Sequence, residues 1–210
     1  MKKRITMSVI GVVLCAISVA FFKYAAFGMD SFQVFVNGML EVIPISYGNL
    51  YVIINVALLL FALIFDKHYI GLATLINLLF LGYIAEISLF LLNLLFPIAS
   101  VFLRILFLII GIVAMSLASA LYYTSDLGVS TYDAIALIMA NTWKWGKFRY
   151  CRIVVELGTV LLGTILYYIG NHNFNGFGSL VSVGTIITAF CMGPLIELFT
   201  NTIAKPLLHK

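Results

Sequence analysis

Eight carboxylates occur among 210 residues, and three of them, Glu86, Glu156 and Glu197, sit inside long apolar runs. An ionisable group in hydrocarbon costs about 2.5–3.5 kcal/mol on insertion scales, which marks such an acid as a functional candidate. It can carry a proton, hold a cation or join helices by hydrogen bonds. Glu86 and Glu197 each follow a glycine by four residues, Gly82 and Gly193, and Glu156 is answered by Asn55 about a hundred residues earlier. These four are the candidates for proton or cation coupling. Each also has a plainer reading: Glu197, near Lys205, can snorkel to a membrane interface, and Glu156 can be a buried, hydrogen-bonded or protonated acid.

The second group of candidates is a turn that occurs twice. Phe27-Gly28-Met29-Asp30-Ser31-Phe32-Gln33 is matched by Leu127-Gly128-Val129-Ser130-Thr131-Tyr132-Asp133. Each glycine permits a left-handed turn at the end of a helix. Asp30 and Ser130 then stand as N-caps, with Gln33 and Asp133 three residues on completing capping-box-like pairs. Each turn starts a short helix, about 31–42 and 131–142, too short to span a bilayer. A helix start with free N–H groups favours anions when it faces inward, so Gly28, Asp30, Ser31, Gln33, Gly128, Ser130, Thr131 and Asp133 are the candidate substrate-binding residues. The alternative is a pair of amphipathic helices lying at the interface and binding nothing.

The elements that must position these groups are membrane helices. With 63% hydrophobic residues, 10% charged ones and a mean hydropathy of +1.15, the chain lacks the polar surface of a soluble globule. Six stretches, about 5–25, 49–65, 71–95, 100–122, 150–169 and 180–200, reach the roughly 20 apolar residues that a span needs. The first also fits a cleavable signal peptide, but its counterpart at 104–120 lies mid-chain, where a signal has no use. With both termini cytoplasmic, the inside segments collect Lys2, Lys3, Arg4, Lys67, Lys144, Lys147, Arg149, Arg152, Lys205 and Lys210 against Lys23 outside. Arg104 alone is left at an outer helix end. That asymmetry predicts the orientation, and it assigns the net charge of +4 to membrane placement and anionic lipid contact instead of nucleic acid. The run Trp143-Lys144-Trp145 through Tyr150 reads as an interfacial aromatic belt.

The chain also repeats itself. Arg4, Ile5, Ile10, Gly11, Val13, Ala20, Gly28 and Met39 recur at Arg104, Ile105, Ile110, Gly111, Val113, Ala120, Gly128 and Met139. Further on, Gly82 through Glu86 aligns with Gly193 through Glu197. Two halves result, residues 1–99 and 100–210. Three spans per half is an odd number, so the second half enters the membrane from the opposite side. The expected fold class is therefore an all-α membrane protein of six transmembrane helices plus two short helices in a three-plus-three inverted-topology repeat. Ala16-x-x-x-Ala20 and Ser116-x-x-x-Ala120 read as seams between the two first helices.

The paired turn, Gly146 opening the fifth span, Gly184-Thr185 and Gly193-Pro194-Leu195-Ile196-Glu197 together resemble the bacterial membrane proteins called YczE/YyaS/YitT-like. The resemblance covers nearly the whole chain, although Ser31 and Thr131 stand where that family often has proline. It implies a polytopic bacterial inner-membrane protein and supplies no substrate.

Other chemistry is thin. Cys15, Cys151 and Cys191 lie in apolar stretches and read as small buried hydrophobes. His68, His172 and His209 lack ligand spacing, so no metal and no cofactor is expected. Gly176-Phe177-Gly178 follows no phosphate-binding strand, and no serine is set with a histidine and an acid, so no enzyme is expected. The leading reading is a small-solute secondary transporter with its site between the halves. Its rivals are a substrate-binding membrane subunit of an energy-coupling vitamin uptake complex and a non-transporting membrane scaffold. Expected partners are the lipid bilayer, an unidentified small solute, and a second copy or another membrane protein.

Overall fold

The structure, a computed structural model, describes residues 1–28, 30–98, 100–172, 178 and 181–209. Met29 of the first turn, Gly176 and Phe177 of the loop glycine pair, and Lys210 lie outside the described residues. Among the described residues every regular element is a helix. In order they are α1 (Lys2–Ala25), α2 (Ser31–Leu40), α3 (Tyr47–Asp66), α4 (Leu72–Leu95), α5 (Val101–Ser125), α6 (Thr131–Leu137), α7 (Phe148–Asn171), α8 (Val183–Phe199) and α9 (Lys205–His209). A 3₁₀ turn, Lys67–Tyr69, follows α3. A π-helical turn, Thr200–Ala204, links α8 to α9.

Six of these units, α1, α3, α4, α5, α7 and α8 continued into α9, are long and apolar enough to cross a bilayer. The protein is a polytopic membrane protein, and its surface agrees with lipid as solvent. Phe80, Phe90 and Phe102 are exposed, whereas Asp133, Arg152 and Glu156 are buried.

Serine or aspartate side chains cap the starts of α2, α3, α5 and α6. Asp30 accepts from the Gln33 N–H at 3.0 Å, Ser130 from Asp133 at 3.1 Å, and Ser100 from Leu103 at 3.3 Å. The two short helices depart from their sequence pattern at their C-terminal ends, and α2 stops two residues sooner than expected. In α2 the N–H groups of Val42 and Ile43 both turn onto the Met39 carbonyl, just before Pro44. α6 keeps its expected length but widens into a π turn at Ile138–Thr142, where the Trp143 N–H reaches back five residues to the Ile138 carbonyl.

α1 and α5 run antiparallel and form the centre of the bundle. Arg4 at the start of α1 pairs with Asp126 past the end of α5, at 3.4 Å. At the other end Arg104 donates from Nε to the Ala25 carbonyl and from Nη2 to the Ala26 carbonyl, both at 2.7 Å. Midway, Cys15 Sγ lies 3.3 Å from Met115 Sδ. The seam needs small residues: Ala16, Ala20, Ser116 and Ala120 have no exposed surface, and a Cβ on Gly11 would sit 2.9 Å from that of Tyr122.

The two glycine turns cross over to grip distant helix starts. Gly28 and Gly128 have φ of 98° and 100°, a region L-residues avoid. The turn at Gly128 lies on the start of α4, where Ala73 N–H donates to the Leu127 carbonyl at 2.9 Å and Thr74 Oγ1 to the Val129 carbonyl at 2.7 Å. The turn at Gly28 lies on the start of α8, where Gly184 N–H donates to the Phe27 carbonyl at 3.0 Å. The short helices then pack on the other spans, α2 along α7 and α6 between α3 and α7.

Candidate functional site

A cavity of about 170 Å³ lies inside the bundle. The first residues of both short helices face it, Asp30 to Gln33 from α2 and Ser130 to Asp133 around the start of α6. Asn55 of α3 and Glu156 of α7 close its sides, and Cys15 and Met115 form the wall contributed by α1 and α5.

Its charged centre is a buried trio. Arg152, 4% exposed, pairs through Nη1 with Asp133 Oδ1 and through Nη2 with Glu156 Oε1, one helical turn further along α7. The Tyr122 hydroxyl donates to the second oxygen of Asp133. The guanidinium lies 5.1 Å over the Tyr132 ring, whose hydroxyl meets Thr159 Oγ1 at 3.0 Å. An arginine fork suits this task because its fixed N–H groups serve two carboxylates at once. Burial works against the ionised Asp133 carboxyl, but Arg152 and the hydroxyls of Ser130 and Tyr122 outweigh it and hold that carboxyl below the usual aspartate range.

Asp30 differs. Its carboxylate accepts the Gln33 N–H, and among the described residues it makes no salt bridge. Burial pushes this carboxyl up, against the pull of the Gln33 N–H. Beside it Ser31 Oγ is buried and, among the described residues, without a hydrogen-bond partner, and so is Arg152 Nε. The equivalent hydroxyl in the second turn, Thr131 Oγ1, donates to Asn55 Oδ1 at 2.8 Å. The aromatic residues of the two turns touch, with Phe32 and Tyr132 ring centroids 5.2 Å apart.

The sequence candidates therefore divide. Asp30, Ser31, Gln33, Ser130, Thr131, Asp133, Asn55 and Glu156 all line one cavity. Gly28 and Gly128 form the turns behind it, packed against Thr185 and Thr74. Glu86 does not join them: it lies exposed on the outward face of α4, a helix that packs substantially on α1 alone. Glu197 is also elsewhere, 3.7 Å from Arg149 near the start of α7. That arginine, and not Lys205, is its partner, because Arg149 and Glu197 lie where α7 and α8 pack.

Arg152 needs a correction. Its place in the topology count makes it a cytoplasmic charge, yet the structure buries it one turn inside α7. Ten inside charges less Arg152 leaves nine, so the asymmetry survives. The missed signal was spacing: an arginine four residues before an acid in an apolar run puts both on one helix face.

The chain belongs to a family. A model of a family of unknown function, DUF6198, matches residues 2–201, nearly the whole chain. Among curated proteins and among solved structures, nothing matches. The narrower likeness to the YczE/YyaS/YitT-like proteins rests on the motifs alone.

Proposed function

We propose that this member of the DUF6198 family is a small-solute secondary transporter of the bacterial inner membrane, with both termini cytoplasmic and its site between two inverted repeats. One observation carries the reading: polar and charged groups from both halves converge on one cavity inside an otherwise apolar bundle. Ionisable groups at that depth face pathways or bound ions as a rule, and the meeting of broken-helix starts between repeats is a recurring transporter plan.

The repeat reading draws support from matched contacts. Arg4 at Asp126 corresponds to Arg104 at the carbonyls of Ala25 and Ala26. The Gly28 turn on α8 corresponds to the Gly128 turn on α4. Two residues touch their own counterparts, Cys15 with Met115 and Phe32 with Tyr132. Contacts between equivalent residues are what a two-fold axis through these pairs would produce. Since α1 and α5 run antiparallel through the Cys15–Met115 contact, that axis would lie in the membrane plane, and a rotation of about 180° about it would exchange the halves.

Transport requires that the cavity open to each side in turn, and Cys15 is a native reporter on its wall. In a protein with Cys151→Ala and Cys191→Ala, a membrane-impermeant charged methanethiosulfonate should modify Cys15 when added to either face of oriented vesicles. Modification from one face only favours the substrate-binding subunit of an uptake complex. Protection from both faces favours the scaffold and refutes transport.

A further inference from the structure

We propose that the cavity binds a small organic ammonium ion, an amine or quaternary ammonium, with Asp30 as the carboxylate that receives its charge. The inference rests on the transporter reading in locating the solute in this cavity, and it names the solute's chemistry.

Charge is the first argument. Among the described residues three carboxylates, Asp30, Asp133 and Glu156, face the cavity with one cation, Arg152, so their formal charge when all are ionised is −2. An anionic solute would meet that charge at close range and low dielectric. The inward-facing starts of the short helices do not reverse this, because the protein's own side chains already occupy them. The Gln33 N–H is taken by Asp30 and the Asp133 N–H by Ser130.

Availability is the second. Asp133 and Glu156 share the two Nη groups of Arg152, and Tyr122 covers the other oxygen of Asp133. Asp30 receives only backbone donors, so among the described residues it is the cavity carboxylate without a cationic partner and the one to pair with a mobile cation. Next to it Ser31 Oγ, in a residue 1% exposed, has no hydrogen-bond partner among the described residues and can accept an ammonium N–H.

The walls decide between an organic cation and a bare metal ion. Hard cations take about six to eight oxygens in a close cage. Here Phe22, Phe32 and Tyr51 line the same space as Asp30, with the Phe32 and Tyr51 rings 5.8 Å apart and nearly perpendicular. Aromatic faces attract weakly hydrated ammonium groups and suit a ligand with methyl or methylene groups. A cavity of about 170 Å³ suits a small ammonium ion.

The test measures thermal stabilisation of the purified full-length protein in detergent at constant ionic strength. Tetramethylammonium and methylammonium chloride are compared with sodium chloride and with tert-butanol, a neutral molecule of similar shape. Stabilisation by an ammonium salt, and not by sodium or tert-butanol, is expected. Asp30→Asn keeps the N-cap, since asparagine caps as well as aspartate, and should weaken the apparent affinity at least about tenfold. Ser31→Ala should weaken methylammonium more than tetramethylammonium, which has no N–H to donate. Equal response to tert-butanol, stabilisation by sodium alone, no response to any salt, or unchanged affinity in a folded Asp30→Asn protein each overturns the proposal. If Cys15 is still modified from both faces in those cases, transport stands and only the solute class is wrong. If it is shielded from both, the transporter reading itself has failed.

Discussion

Removing Arg152 should damage this protein far more than removing either acid it holds. The trio of Arg152, Asp133 and Glu156 carries one positive and two negative charges, all buried among apolar helices. Arg152→Met leaves two uncompensated carboxylates beside each other. Breaking a buried pair in this way costs about 3–5 kcal/mol. At about 2–4 °C per kcal/mol for a chain of this length, the melting midpoint should fall by about 6–20 °C. Glu156→Gln leaves Arg152 matched one to one with Asp133, and glutamine keeps the size and a hydrogen-bonding oxygen. Its cost should be about 1 kcal/mol or less, the worth of one neutral hydrogen bond. Adding Asp133→Asn and Glu156→Gln to Arg152→Met makes the set neutral and should recover most of the lost midpoint. The assay is thermal unfolding in detergent, followed by loss of the monodisperse peak. If Arg152→Met melts within about 2 °C of the wild type, or if the neutral triple variant is no better than the single one, the electrostatic account of the cavity is wrong.

Two further outcomes follow from the turns and the topology. Gly28→Ala and Gly128→Ala each place a Cβ at positive φ against Thr185 or Thr74, so each should destabilise by about 1–3 kcal/mol; a neutral effect in thermal unfolding would refute the strained-turn argument. Cysteine probes at His172 and Pro97 should react in intact cells while probes at Lys67 and Lys147 are spared, and the reverse pattern would invert the proposed orientation.

Residue type and spacing alone carried several features of this molecule. Six apolar runs of span length are legible because the hydrocarbon core sets a minimum length and leaves the backbone no other way to satisfy its hydrogen bonds. The glycine-and-cap pattern at Gly28 to Gln33 and Gly128 to Asp133 is local chemistry, so it marks two helix starts without tertiary context. The seam residues Ala16 and Ala20 could be placed because close approach of helices requires small side chains.

Which acids meet was a different matter. Glu86, Glu156 and Glu197 have much the same sequence surroundings, an acid in an apolar run. One lies in the cavity, one outward on α4 and one beside Arg149. Helix rotation and the choice of neighbour decide this, and both come from packing between elements well separated along the chain. The same holds for Arg152, which composition places with the cytoplasmic charges and α7 carries into the core. Its burial depends on Asp133, which arrives only because the Gly128 turn is held on the start of α4. The sequence by itself determined the solvent, the spans and the capped turns, which are short-range consequences of hydrophobicity and backbone geometry. The tertiary structure alone decided that three carboxylates and one guanidinium share a cavity, because a buried charge finds its partner through space and not along the chain.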